Sequence, residues 1–102
     1  MIKEVIYKNR DNTIDLQLSS DSGVADFSGV TKVELINESL GIISSDTKSS
    51  YFDWAAGGGV LKLSLGMMDG LVVGSSCRFS IILYDDDNTH GVNWGKFIAV
   101  VC

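Results

Sequence analysis

The sequence predicts an all-β fold, and three observations carry that prediction. Apolar residues recur at period two along most of the chain, as where Ile14, Leu16 and Leu18 alternate with Asp15, Gln17 and Ser19. Clusters of Gly, Asp, Asn and Ser punctuate the apolar runs at short intervals. No stretch of roughly ten or more residues keeps a helical period.

Taken in order, the elements begin with a weak strand over Glu4 to Lys8, followed by the alternating run from Ile14 to Ser19. Thr31 to Ile36 sets Val33 and Leu35 against Lys32 and Glu34, and a further weak strand covers Gly41 to Ser45. Tyr51 to Trp54 is a short aromatic strand. Leu61, Leu63 and Leu65 alternate with Lys62 and Ser64, so one face of that strand is aliphatic. Cys77 to Tyr84 and Phe97 to Cys102 are more continuously apolar, as strands covered on both faces are. Strands at this spacing predict an immunoglobulin-like β-sandwich of about 7–9 antiparallel strands.

Turn chemistry supports the segmentation. Asp21-Ser22-Gly23, Gly57-Gly58-Gly59, Asp69-Gly70 and Asp85 through Gly91 fall between the apolar runs. Gly and Asn accept positive φ, and Asp and Ser bond their own backbone. Ser44 to Ser50, polar and rich in serine, is expected to be a mobile loop. The chain has no proline, so no strand loses a donor, and no edge strand is blunted by that device. An edge left open in this way is available for assembly. With no linker, repeat or low-complexity tract, residues 1–102 are expected to form one domain.

Composition narrows the function classes. The chain has 102 residues, 45% apolar and 21% charged, which is ordinary globular usage. Its 13 acidic residues outnumber 8 basic ones, so the long-range field opposes nucleic acid and anionic membranes, and neither is expected as a partner. Met1 to Arg10 alternates apolar and charged residues, unlike a signal peptide. Gly, Ser, Asp or Lys interrupts every apolar segment well short of the roughly 18 residues of a membrane span. Cys77 and Cys102 are too few for a disulfide framework and lack zinc-site spacing, so both read as small apolar strand residues. A bridge between them requires their strands to pair.

Candidate chemistry is sparse. His90 is the single histidine, in a polar loop without a nucleophile motif beside it. Gly57 to Gly59 lacks the Lys-Ser/Thr that a phosphate loop needs. Asp85, Asp87 and Thr89 offer alternate oxygens like the start of a calcium loop, but His90 stands where the loop needs Gly and Lys96 where it needs Glu. A solvated hairpin turn is the simpler reading. Trp54 and Trp94, with Tyr51, Phe52 and Tyr84, either line a sugar-stacking platform or fill the core, and core packing is the commoner use. No catalytic, cofactor-binding or metal residue is nominated, and the chain is expected not to be an enzyme.

Four segments then follow in order: Asp11-Asn12-Thr13-Ile14-Asp15-Leu16; Phe27-Ser28-Gly29-Val30-Thr31-Lys32-Val33; Tyr51-Phe52-Asp53-Trp54 with Gly59-Val60-Leu61-Lys62-Leu63-Ser64-Leu65-Gly66; and Leu83-Tyr84-Asp85 with Gly91-Val92-Asn93-Trp94-Gly95. In this the chain resembles a family of short tailed-bacteriophage proteins with a D-N-T-I-D-L start and a closing Y-D…G-I-V-W-G hairpin. More distantly it resembles the amino-terminal domain of phage baseplate upper proteins. It departs at Asp86, where family hairpins often carry Pro, and at Asn93, which separates Val92 from Trp94. The resemblance implies a virion protein made in the bacterial host cytoplasm, a capsid decoration or a head- or tail-attached protein. Its partners would be other virion proteins, and it would act as a homo-oligomer or in many lattice-docked copies. A tail or baseplate module, a carbohydrate-binding module contacting the host surface, and an assembly or host-interaction factor absent from particles are the alternatives.

Overall fold

Burial follows the alternation strand by strand. The structure, a computed structural model, describes residues 2–17, 19–20, 23–24, 27, 29–55 and 59–102. β1 spans Ile2–Ile6, and β2 (Ile14–Gln17) buries Ile14 and Leu16 while exposing Asp15 and Gln17. β3 (Ser19–Ser20) and β4 (Gly23–Val24) pair antiparallel. β5 (Val30–Asn37) turns Val33 and Leu35 inward, and β6 (Gly41–Ser44) turns Ile43 inward. A 3₁₀ turn over Ser49–Tyr51 leads into β7 (Phe52–Trp54), and β8 (Val60–Leu63) buries Leu61 and Leu63. β9 (Ser76–Asp85) and β10 (Val92–Val101) are the long strands.

Among the described residues these strands build a five-stranded sheet in the order β1-β10-β9-β5-β6 and a three-stranded sheet in the order β2-β8-β7. Both sheets contribute to one buried cluster. Val33, Leu35, Ile81, Phe79, Phe97 and Val101 come from the larger sheet; Ile14, Leu16, Phe52, Leu61 and Leu63 come from the smaller. A shared apolar interior between two sheets is what a two-layer β architecture requires. Phe79 and Phe97, opposite each other on β9 and β10, stack at 5.1 Å in its centre.

Four expectations need correction. The sheet is mixed and not wholly antiparallel, because β1 runs parallel to β10 with Ile2 opposite Phe97 and Ile6 opposite Val101. Alternation fixes which face a side chain takes and is blind to strand direction, so the pattern held no sign of this. Among the described residues the strand count reaches ten with the two-residue strands β3 and β4 included. β10 starts at Val92 and not at Phe97, because a bulge at Trp94 carries the strand through residues that read as hairpin loop. Tyr51 belongs to the 3₁₀ turn and not to the strand after it. Leu18, the turn at Asp21-Ser22, and Gly57 and Gly58 lie outside the described residues.

The serine-rich segment after β6 is a bonded turn. Ser44 accepts backbone N–H bonds from Thr47 and Lys48 on its carbonyl and one from Asp46 on its hydroxyl, while Ser45 N–H reaches Val33 across the strand pair.

Candidate functional site

The hairpin joining β9 to β10 gathers the sharpest sequence signals. Asp85 Oδ1 accepts the backbone N–H of Asp87 at 3.0 Å and of Asn88 at 2.7 Å, and the Asn88 side-chain amide at 2.9 Å. One carboxylate oxygen thus closes the turn that the sequence offered as a calcium loop. Gly91, at φ +85°, follows the turn; a β-carbon there would meet the Ile82 side chain at 2.5 Å and the Tyr84 ring at 3.0 Å. Asn93 then accepts Gly95 N–H at 2.8 Å, which ties the bulge. Among the described residues, no group of three or more His, Cys, Asp or Glu is placed to hold a metal ion. His90 is exposed on this turn.

Behind the hairpin, on the outer face of the larger sheet, Tyr84 donates its hydroxyl hydrogen bond to Glu34 Oε1. Lys32 lies 3.8 Å from the other oxygen of Glu34 and 4.1 Å from the Tyr84 ring centre. The hydrogen bond to Glu34, then desolvation, then the Glu34 charge raise the Tyr84 pKa above its ordinary value. This cluster locks β5 to β9 and contains no nucleophile with an adjacent base.

A second clasp sits at the opposite end of the strands. Asn12 Oδ1 accepts Tyr7 N–H at 3.3 Å, and its amide donates to the Val5 carbonyl at 3.1 Å. Asn9 N–H donates to the Gly66 carbonyl at 2.7 Å, so the β1–β2 connection lies against the segment after β8. Gly66 is buried and leaves no room for a side chain beneath this loop.

The aromatic residues proposed for a sugar platform divide between the core and the outer face of the larger sheet. Trp54 is half-buried and packs on Phe27 at 6.4 Å; Trp94 and Tyr51 also pack against the core, and Phe52 is buried. Tyr84 lies on the outer face of the other sheet, with Glu34. Cys77 and Cys102 are free thiols. Their strands do pair, but Cys77 stands opposite Ala99, leaving Cys102 roughly 10 Å further along, beyond disulfide reach. Partial burial pushes the Cys77 thiol pKa up.

Two surface features escaped the sequence reading. Tyr7, Met67, Val72 and Val73 are exposed around the end of the domain where Lys8 and Gly74 bond the last residues of the chain. Ile42 on β6 stands beside Ile36 on β5, both exposed. Only the tertiary arrangement shows that these apolar residues stay exposed. Compared with protein-family models, curated proteins and solved structures, the chain matches none.

Proposed function

We propose that the chain is a non-enzymatic structural protein of a tailed-bacteriophage particle, a capsid decoration or a head- or tail-attached protein, built on an immunoglobulin-like sandwich. The carrying observation is the work done by the residues of the phage-like segments. Asn12 and Gly66 clasp one end of the domain, and Asp85, Gly91, Asn93 and Gly95 shape the closing hairpin. All of these are fold-holding duties. A pattern that concentrates on them supports a shared architecture and leaves the docking surface unspecified.

The strand partition supports the immunoglobulin-like part of the reading. The second strand pairs with the strand before the long hairpin, as B pairs with E, and β7 takes the place of D. β10, β9, β5 and β6 follow one another in the other sheet as G, F, C and C′ do. The partners are other virion proteins, contacted by many copies whose individual contacts add by avidity. The half-burial of Trp54 and Trp94 weighs against a glycan platform on these residues.

Mass spectrometry and cryo-electron microscopy of purified particles of the encoding phage test this. Stoichiometric copies on head or tail support the structural role. Absence from particles, with the chain present in infected cells, overturns it in favour of an assembly or host-interaction factor.

A further inference from the structure

We infer that an open cationic groove on the outer face of the larger sheet is a docking site for the acidic tip of the β9–β10 hairpin of a second copy of this chain. The inference does not depend on the virion role.

The groove follows from the strand register. Arg78 and Lys96 flank the buried Phe79 and Phe97, so alternation turns both outward. Arg78 stands opposite Ile98 and Lys96 opposite Ser80, which makes the two cations diagonal neighbours, roughly 7–8 Å apart at the backbone. Between them and the β5–β6 turn lies a groove of about 850 Å³, with Ile36, Ser76, Ser80 and Ile98 in its lining. Asn37 fixes the far wall: its amide donates to the Arg78 carbonyl at 2.9 Å, and its Oδ1 accepts the Ser39 and Leu40 N–H groups at 2.8 Å. A wall bonded in this way needs little ordering when a partner arrives.

Charge selects an anionic occupant. Among the described residues neither Arg78 nor Lys96 forms an ion pair; the pair that is formed joins Lys32 to Glu34. Two like charges at neighbouring cross-strand positions repel, and a carboxylate seated between them relieves that repulsion. Glu38 is the one carboxylate in the groove lining, which leaves the groove with an excess of one positive charge. Copies of net charge −5 repel at long range, but at physiological salt interactions beyond about 8 Å are largely screened, so the local sign decides.

The chain itself supplies such an occupant. Asp85-Asp86-Asp87 is the only run of adjacent acidic residues in the sequence. Asp85 is committed to closing the turn through the Asp87 and Asn88 N–H groups, which leaves Asp86 and Asp87 exposed on a tip held in shape by those bonds. β9 carries that tip roughly 25 Å from Arg78, so a copy cannot fill its own groove and the contact forms between copies. Groove and tip are different surfaces, so the contact is heterologous. Each copy added leaves one groove and one tip open, and assembly passes beyond a dimer to a ring or a filament.

Sedimentation velocity of the full chain over a concentration series tests the assignment. At about 0.1 M salt the coefficient should rise with concentration past the dimer value, and at about 1 M salt it should stay at the monomer value, because the screening length falls from about 10 Å to about 3 Å. Arg78→Glu with Lys96→Glu should lose the rise, and so should Asp86→Lys with Asp87→Lys. Each double variant keeps a negative net charge, yet an equimolar mixture should associate, since the native tip of one still meets the native groove of the other. Glu38→Gln removes the opposing carboxylate and should shift the rise to lower concentration. A chain monomeric throughout, association that survives either double variant, or a mixture that stays monomeric would each overturn the inference. So would a monomeric chain whose groove amides shift in NMR spectra on titration with tri-aspartate, which would assign the groove to the acidic segment of another protein.

Discussion

Gly66 and Asn12 are packed so closely that a β-carbon at position 66 would stand 3.1 Å from Asn12 Oδ1, with the Tyr7 carbonyl oxygen at 2.7 Å. The backbone oxygen cannot swing away as a side-chain end would. Gly66→Ala should therefore force the β1–β2 loop off the segment after β8 and cost about 1 to 3 kcal/mol. For a domain of this size each kcal/mol lowers the melting temperature by roughly 4–8 °C. Calorimetry reads the shift, and a melting temperature equal to that of the unmodified chain would refute the close packing.

Asn12→Ala tests the other half of the same clasp. It removes the acceptor of Tyr7 N–H and the donor to the Val5 carbonyl, in a partly exposed setting where water replaces some of the loss. About 1 kcal/mol of destabilisation is expected by urea denaturation. Asn12→Asp should recover part of it, because the acceptor for Tyr7 remains.

Leu63 is fully buried and pairs with Ile14 on one side and Phe52 on the other, so it sits at the middle of the three-stranded sheet. Leu63→Ala should cost about 2 to 5 kcal/mol. Lys62→Ala, one residue away on the exposed face, should stay within about 0.5 kcal/mol. Equal effects at the two positions would mean that the strand register is shifted by one residue.

This contrast marks where the sequence was informative. Leu61 and Leu63, Val33 and Leu35, and Ile14 and Leu16 are buried as their alternation requires, since one sheet face meets one core. What the pattern did not contain was pairing. Ile2 and Ile6 alternate equally well whether β1 runs with β10 or against it, and the β1–β10 direction depends on topology far from either strand. The sequence reads Asp85 through Gly91 as a turn and starts the last strand at Phe97, yet Val92 to Lys96 belong to that strand, where Gly95 at φ +124° and an Asn-stabilised bulge bend it without ending it. Trp54 illustrates the limit for sites: its half-buried packing on Phe27 depends on a partner many residues away.

The closing hairpin separates a turn-forming acid from its neighbours. Asp85→Ala deletes the acceptor of three N–H donors and should destabilise by about 1 kcal/mol, whereas Asp87→Ala should be near neutral. Because Asp85 is engaged by protein donors, added calcium should leave the melting temperature of the unmodified chain unchanged. A calcium-dependent rise that is lost in Asp85→Asn with Asp87→Asn would assign the loop a cation instead.

The Tyr84–Glu34 bond makes a prediction at high pH. The neutral phenol donates to Glu34, and that bond, desolvation and the nearby negative charge all raise its pKa in the folded chain. The folded state thus holds the phenolic proton more tightly than the unfolded state does. The resulting stability is complete below the ordinary tyrosine value of about 10 and falls as pH rises through the raised value. Urea midpoints measured from about pH 8 to about pH 11 should therefore drop more steeply for the unmodified chain than for Tyr84→Phe. Glu34→Gln should flatten the same limb while leaving the tyrosine in place, because the neutral amide oxygen still accepts the bond without repelling the phenolate. Parallel curves for all three proteins would mean that the bond to Glu34 does not distinguish the folded from the unfolded state.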